Sequence, residues 1–181
     1  MKFYAALSIS PSSIRKSCSK LLDGYGSLEP LQNVMFTPIS QGAGSHTEIR
    51  NLQDRFNLNL MFDSGGYEVQ VGNQTFDELQ AYLHEFYGNN HWGHRYVLPD
   101  NVPLSQDSPE LVEQKVKQTA DITTLFYRQL PDHLQERSLA VIQGHTQDQL
   151  RHCLNTYKEL DRLQHVGFGS FGTSGVSNGV N

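Results

Sequence analysis

No run of about 18 apolar residues occurs anywhere in this chain, which excludes a membrane-spanning helix at the level of sequence. The opening Met1-Lys2-Phe3-Tyr4-Ala5 lacks the long apolar stretch of a secretory signal. Basic residues are also scarce: 14 Lys and Arg stand against 19 Asp and Glu, a formal net charge of −5, with no basic stripe. Phosphate contacts dominate affinity for nucleic acid, so this balance argues against a chain that grips DNA or RNA unaided. Cysteine is scarcer still. Cys18 and Cys153 both fall on the apolar side of helical patterns and read as small core residues, and the chain as cytoplasmic. Histidine is not scarce, but His91-Trp92-Gly93-His94 follows Gly88-Asn89-Asn90 with no third ligand at a diagnostic spacing, so it reads as a solvated loop and not as a metal site.

What the chain does have is enough apolar content, 37% of 181 residues, for one domain of ordinary size. Its most informative segment is Asp63-Ser64-Gly65-Gly66-Tyr67. It follows an apolar run (Leu58, Leu60, Met61, Phe62), so a buried strand delivers a carboxylate at its tip. Gly65 and Gly66 allow a sharp turn and a close approach of a flat ligand to the peptide planes, while Tyr67 offers a ring to stack on it. An Asp that caps its own Gly-Gly turn is the plainer reading of Asp63.

The same construction recurs. Tyr96-Val97-Leu98-Pro99 ends at Asp100, Leu139-Ala140-Val141-Ile142 at Gln143-Gly144, and His165-Val166 runs into Gly167-Phe168-Gly169-Ser170. The intervals between tips, about 24 to 43 residues, suit one β/α unit of a parallel barrel or a doubly wound sheet, folds that place their sites at the carboxyl ends of the strands. Gln143 after Ala-Val-Ile is expensive to bury unpaired, which favours a ligand-facing amide. The glycines at 167, 169 and 172 also fit a phosphate-cradling loop, although no helix pattern opens behind them.

Strands are expected over Phe3 to Ile9, Val34 to Ile39, Leu58 to Phe62, Tyr96 to Leu98, Leu139 to Ile142 and Gln164 to Phe168. Between them, capping boxes at Ser45-His46-Thr47-Glu48, Thr75-Phe76-Asp77-Glu78 and Thr146-Gln147-Asp148-Gln149 mark helix starts. Apolar sets at helical spacing follow: Ile49, Leu52 and Phe56; Leu79, Leu83 and Phe86; Leu150, Leu154 and Tyr157. Ser108-Pro109 opens a longer helix that Pro131 stops, and Ser10-Pro11 opens another that Gly24 closes. The alternation is that of a parallel α/β architecture. Six strands cannot close an eight-stranded barrel, so the expectation is an incomplete barrel of about six β/α units, a fragment or one part of a split protein.

Asp-Ser-Gly-Gly-aromatic after an apolar strand, an Asp-tipped strand, Val-Ile-Gln-Gly and a Gly-rich strand end, in that order, resemble the motif set of the tRNA-guanine transglycosylase superfamily. Tyr96-Val97-Leu98-Pro99-Asp100 and the run from Val166 to Gly175 look more like the branch that inserts 7-deazaguanines into DNA. The resemblance covers about Val34 to the C-terminus and corresponds to the N-terminal half of a full-length member. It implies a (β/α)8 barrel that exchanges guanine in DNA, or in tRNA, for a 7-deazaguanine such as 7-cyano-7-deazaguanine through a covalent nucleotide–enzyme intermediate. On this resemblance Asp63 is the acid/base and Tyr67 stacks on the base. Asp100 and Gln143 read its Watson–Crick edge, with Ser64, Gly65, Gly66, Gly144, Gly167, Phe168 and Gly169 completing the pocket. The substrate nucleotide has to leave its stack to enter.

Two departures accompany the likeness. Glu68 stands where the family has Gln, and the family's nucleophilic Asp and Cys-x-Cys-x2-Cys…His zinc site belong to a second half that this sequence does not contain. Asp107, Asp121, Asp132, Asp148 and Asp161 fall in loops or helices, so the covalent step has no nucleophile here. The expected partners are nucleic acid, the 7-deazaguanine base and a second chain or second copy. A non-catalytic base-binding subunit and an unrelated barrel that binds a purine-like ligand are the competing readings.

Overall fold

The computed structural model describes residues 5–6, 11–28 and 32–169. Six parallel strands form one sheet in the order of the sequence: β1 (Ala5–Ala6), β2 (Asn33–Phe36), β3 (Asn59–Phe62), β4 (Arg95–Val97), β5 (Ser138–Ile142) and β6 (His165–Phe168). Each pairs with its predecessor, as in Val34 beside Leu60 and Ala140 beside Val166. The order never reverses among the described strands. Most of the strand expected from Phe3 to Ile9, the Ser10 cap and the loop beyond Gly169 lie outside the described residues.

Helices fill the crossovers: α1 (Pro11–Tyr25), α2 (Ala43–Phe56), α3 (Gly66–Gln70), α4 (Phe76–Asn89), α5 (Pro109–Gln129), α6 (Asp132–Gln135) and α7 (Gln147–Tyr157). Among the described residues, no helix is long and apolar enough to cross a membrane. The capping boxes at Thr75 and Thr146 form as the sequence requires, hydroxyl and N3 side chain each satisfying an orphan amide, and Ser108 caps α5 ahead of its proline. The third expected box does not form. Its helix starts three residues earlier, with Gly42 in place of Ser45 at the N-cap, and Ser45 N–H already donates to Gly42 O, so Ser45 is inside the helix. Gly24 does not close α1, which runs on to Tyr25 before Gly26 turns left-handed at φ 63°. Two short helices, α3 and α6, went unforeseen because five and four residues carry too little periodicity to read. The expected strand to Ile39 stops at Phe36, where Pro38 opens a 3-10 turn.

One apolar core joins sheet to helices. Val34, Phe36, Leu60, Phe62 and Ala140 pack with Ile49, Leu52, Leu79, Leu83, Val112, Val116, Cys153 and Tyr157, so both cysteines are core residues as expected. In α7 the face is set by Cys153 and Tyr157, while Leu154, assigned to that face by spacing, is exposed. The segment from His91 to His94 is solvated only in part: His91 and His94 are exposed, but the residues between them pack inward. Trp92 packs edge-on to Phe62, Gly93 lies where any Cβ would strike Phe62, and the His94 ring accepts from Leu60 N–H at 3.2 Å. The strand residues that alternate with the core set, Met35, Met61 and Leu139, are half-buried and line a cavity on the other face.

Candidate functional site

That cavity, about 350 Å³, opens at the carboxyl ends of the strands. Its floor is Met35, Met61, Val97, Leu139 and Val141; Asp63, Ser64, Gly66, Tyr67, Asp100, Val102, Gly167, Phe168 and Gly169 form its polar and aromatic rim. Three of the four sequence-derived strand tips reach this cavity, and the fourth lies just behind it. Asp63, Asp100 and the Gly167–Gly169 backbone reach the cavity itself, whereas Gln143, fully buried, sits directly behind Gly169 and supports it from beneath. Gly65 and Gly144 are structural: both are left-handed or nearly so, at φ 78° and 145°, and neither lines the cavity.

Asp63 follows Phe62 directly, and its amide donates to Phe36 O at 2.9 Å, continuing the β2–β3 ladder one step past the strands. That register sets Thr37 beside it. Thr37 Oγ1 donates to Asp63 Oδ2 at 3.0 Å, and Gly65 N–H reaches the same oxygen at 3.3 Å in the Asx-type turn. Burial pushes the Asp63 carboxyl up from its ordinary range, and the donors from Thr37, Gly65 and Ser64 pull against it.

Asp100 is 5% exposed and bonded on both oxygens: Ser64 Oγ donates to Oδ1 and Gln143 Nε2 to Oδ2, each at 2.5 Å. Ser64 Oγ in turn accepts from Gly66 N–H at 3.2 Å. Burial raises the Asp100 pKa to about 6; the Ser64 and Gln143 donors oppose the rise, and the Asp63 charge adds to it. Gly66 is required at its position because a Cβ there would fall on the backbone oxygen of Asp100. The strand tips are thus locked together at a point where no side chain could intervene.

Tyr67 stands at the rim, 55% exposed as a residue, in position to cover a flat ligand. Phe168 reaches the cavity rim from β6 and is 45% exposed. It pairs with Ile142, which packs on the core, so its strand position belongs to the helix side of the sheet and the neighbouring Gly167 to the cavity side. Glu68 does not enter the cavity; its carboxylate accepts from Asn73 Nδ2 at 2.7 Å and closes the loop after α3.

Sequence reasoning missed Thr37 and the clamp behind Asp100. Lys115, 8% exposed on α5, donates to Asp107 Oδ2 at 2.7 Å, Gln70 Oε1 at 2.6 Å and Val102 O at 3.2 Å. Thr119 and Thr123, one and two turns on, hold Asn101 and Pro99 through their backbones. Burial works to raise the Asp107 carboxyl, but Lys115 and the Leu104 amide hold it below the ordinary value. The i, i+4, i+8 spacing of Lys115, Thr119 and Thr123 was the available signal, a polar stripe on a helix face otherwise made of Val112, Val116 and Ala120. Among the described residues, no group of three or more His, Cys, Asp or Glu side chains gathers in a metal-binding arrangement.

No protein-family model matches this chain, and no curated protein or solved structure is significantly similar to it.

Proposed function

We propose that this chain is the base-recognising part of a (β/α)8 barrel of the guanine transglycosylase kind. It acts as a pentosyltransferase that replaces guanine in nucleic acid, DNA ahead of tRNA, with a 7-deazaguanine such as 7-cyano-7-deazaguanine. The observation that carries the reading is the meeting of Asp63 and Asp100, from adjacent parallel strands, in one cavity beside an exposed Tyr67 ring and the Gly167–Gly169 backbone. The sequential strand order supports barrel-type winding, since a barrel sets each strand beside its predecessor.

The chemistry follows from the donors and acceptors present. A guanine-type edge offers N–H donors beside a carbonyl. Asp100 accepts those donors once the base displaces its Ser64 or Gln143 contact, and the released Gln143 amide can face the carbonyl. Adenine presents the reverse pattern and leaves the buried carboxylate unmatched. Asp63, raised by burial, exchanges a proton with the leaving and entering base.

A second reading, a non-catalytic base-binding subunit that works with another chain, is favoured by one observation. The carboxylates lining the cavity are Asp63 and Asp100, and Asp100 is hydrogen-bonded on both oxygens; with Asp63 read as the acid/base, the covalent step falls to a residue from elsewhere. Calorimetric titration with 7-cyano-7-deazaguanine, guanine and adenine tests the shared core of both readings. Saturable binding of the first two and none of adenine is expected; equal binding of adenine, or no binding at all, overturns it. A nucleic-acid adduct on a denaturing gel then separates enzyme from binding subunit.

A further inference from the structure

We infer that Thr37 is the positioning residue for Asp63, fixing which carboxylate oxygen exchanges the proton; this rests on the base-exchange reading above. Two donors from different parts of the chain converge on a single oxygen of Asp63, the Thr37 hydroxyl at 3.0 Å and the Gly65 amide at 3.3 Å. A carboxylate held this way on Oδ2 cannot rotate without losing both bonds, so the orientation of Asp63 is fixed and its two oxygens are no longer equivalent for proton exchange. Thr37 is itself fixed. It is the first residue after β2, one ladder step from Asp63; its carbonyl accepts from Ser40 Oγ at 3.0 Å, and its methyl lies close to Gly65.

The donors act on energetics as well as orientation. A hydroxyl that donates to a carboxylate favours the charged form, and here it counteracts the burial that favours the neutral one. The groups that share the Asp63 field are Asp100, across the cavity at the tip of β4, and the buried Tyr87 phenol from α4, whose own pKa the Asp63 charge helps to raise. Among the described contacts Thr37 supplies the hydroxyl that reaches Asp63, and its removal is not compensated by Tyr87, whose phenol donates to Val97 O, or by Asp100, a carboxyl whose oxygens accept from Ser64 and Gln143.

The experiment is carboxyl carbon NMR titration of Asp63 in an Asp100→Asn background, which removes the second titrating carboxyl. Thr37→Val keeps the methyl and deletes the donor, Thr37→Ala deletes both, and Thr37→Ser restores the donor. The Asp63 midpoint is expected to rise by about one unit in the Val and Ala variants and to return in Ser. An unchanged midpoint in whichever of the Val and Ala variants folds, or a Ser variant that resembles them, overturns the inference. Titration of the chain with Asp100 intact against 7-cyano-7-deazaguanine in parallel keeps the two claims separate. A midpoint shift without base binding upholds the Thr37–Asp63 coupling while the base-exchange reading falls. Base binding with no midpoint shift does the opposite.

Discussion

Asp100 shows how a single buried carboxyl ties the site to folding. Its folded pKa of about 6 lies above the ordinary 3.8, so the folded chain holds the proton more tightly than the unfolded one. The resulting stabilisation is complete below the unfolded value and is lost as pH rises through the folded one. Two units of difference correspond to on the order of 2–3 kcal/mol. Urea denaturation of the wild type and Asp100→Asn is therefore expected to show their stability difference shifting by roughly that amount, in favour of the variant, between about pH 4 and pH 7.5. Gln143→Ala removes the donor to Asp100 Oδ2 and opens space behind Gly169. It should weaken 7-deazaguanine binding by about 1–3 kcal/mol, read by calorimetry. Both residues were legible in the sequence because a polar group at the end of an apolar run is conspicuous. That they bond to each other was not legible, since 43 residues separate them and only the sheet register brings them together. Thr37 escaped notice for a related reason: its neighbours Phe36 and Pro38 blurred where the strand ends.

At the level of elements, the loop from Leu98 to Asp107 is held by α5 more than by its own turns. Lys115→Met removes one partner of a buried ion pair and leaves the Asp107 carboxylate with the Leu104 amide as its hydrogen-bond donor and the weaker influence of His145. A loss of about 3–5 kcal/mol in urea unfolding is expected. The cavity should lose ligand affinity in parallel, because Asp100 opens this loop. Gly66→Ala acts from the opposite side by driving a Cβ into the Asp100 backbone oxygen, and should destabilise by about 1–3 kcal/mol in the same assay. Helix starts were readable where a hydroxyl cap and an N3 acid or amide coincide with an apolar face, as at Thr75 and Thr146. The false box at Ser45 shows the limit: the motif gives the chemistry of a cap but not whether an upstream Gly42 has already begun the helix. The polar stripe of α5 was hidden because Thr and Lys on a helix usually face water.

Over the whole molecule, the alternation of apolar runs with capped helices was enough to expect parallel α/β order, and the strands β2 to β6 fall within a few residues of those expectations. The convergence of the tips depended on a property that no local pattern encodes, the unbroken neighbour order of the sheet. That order has a consequence for biosynthesis. Every strand docks against the one made just before it, so no strand has to be threaded between two already in place. A nascent chain can extend the sheet at its growing edge, burying each new helix as it leaves the ribosome, with β6 the last of the described strands to join the cavity wall.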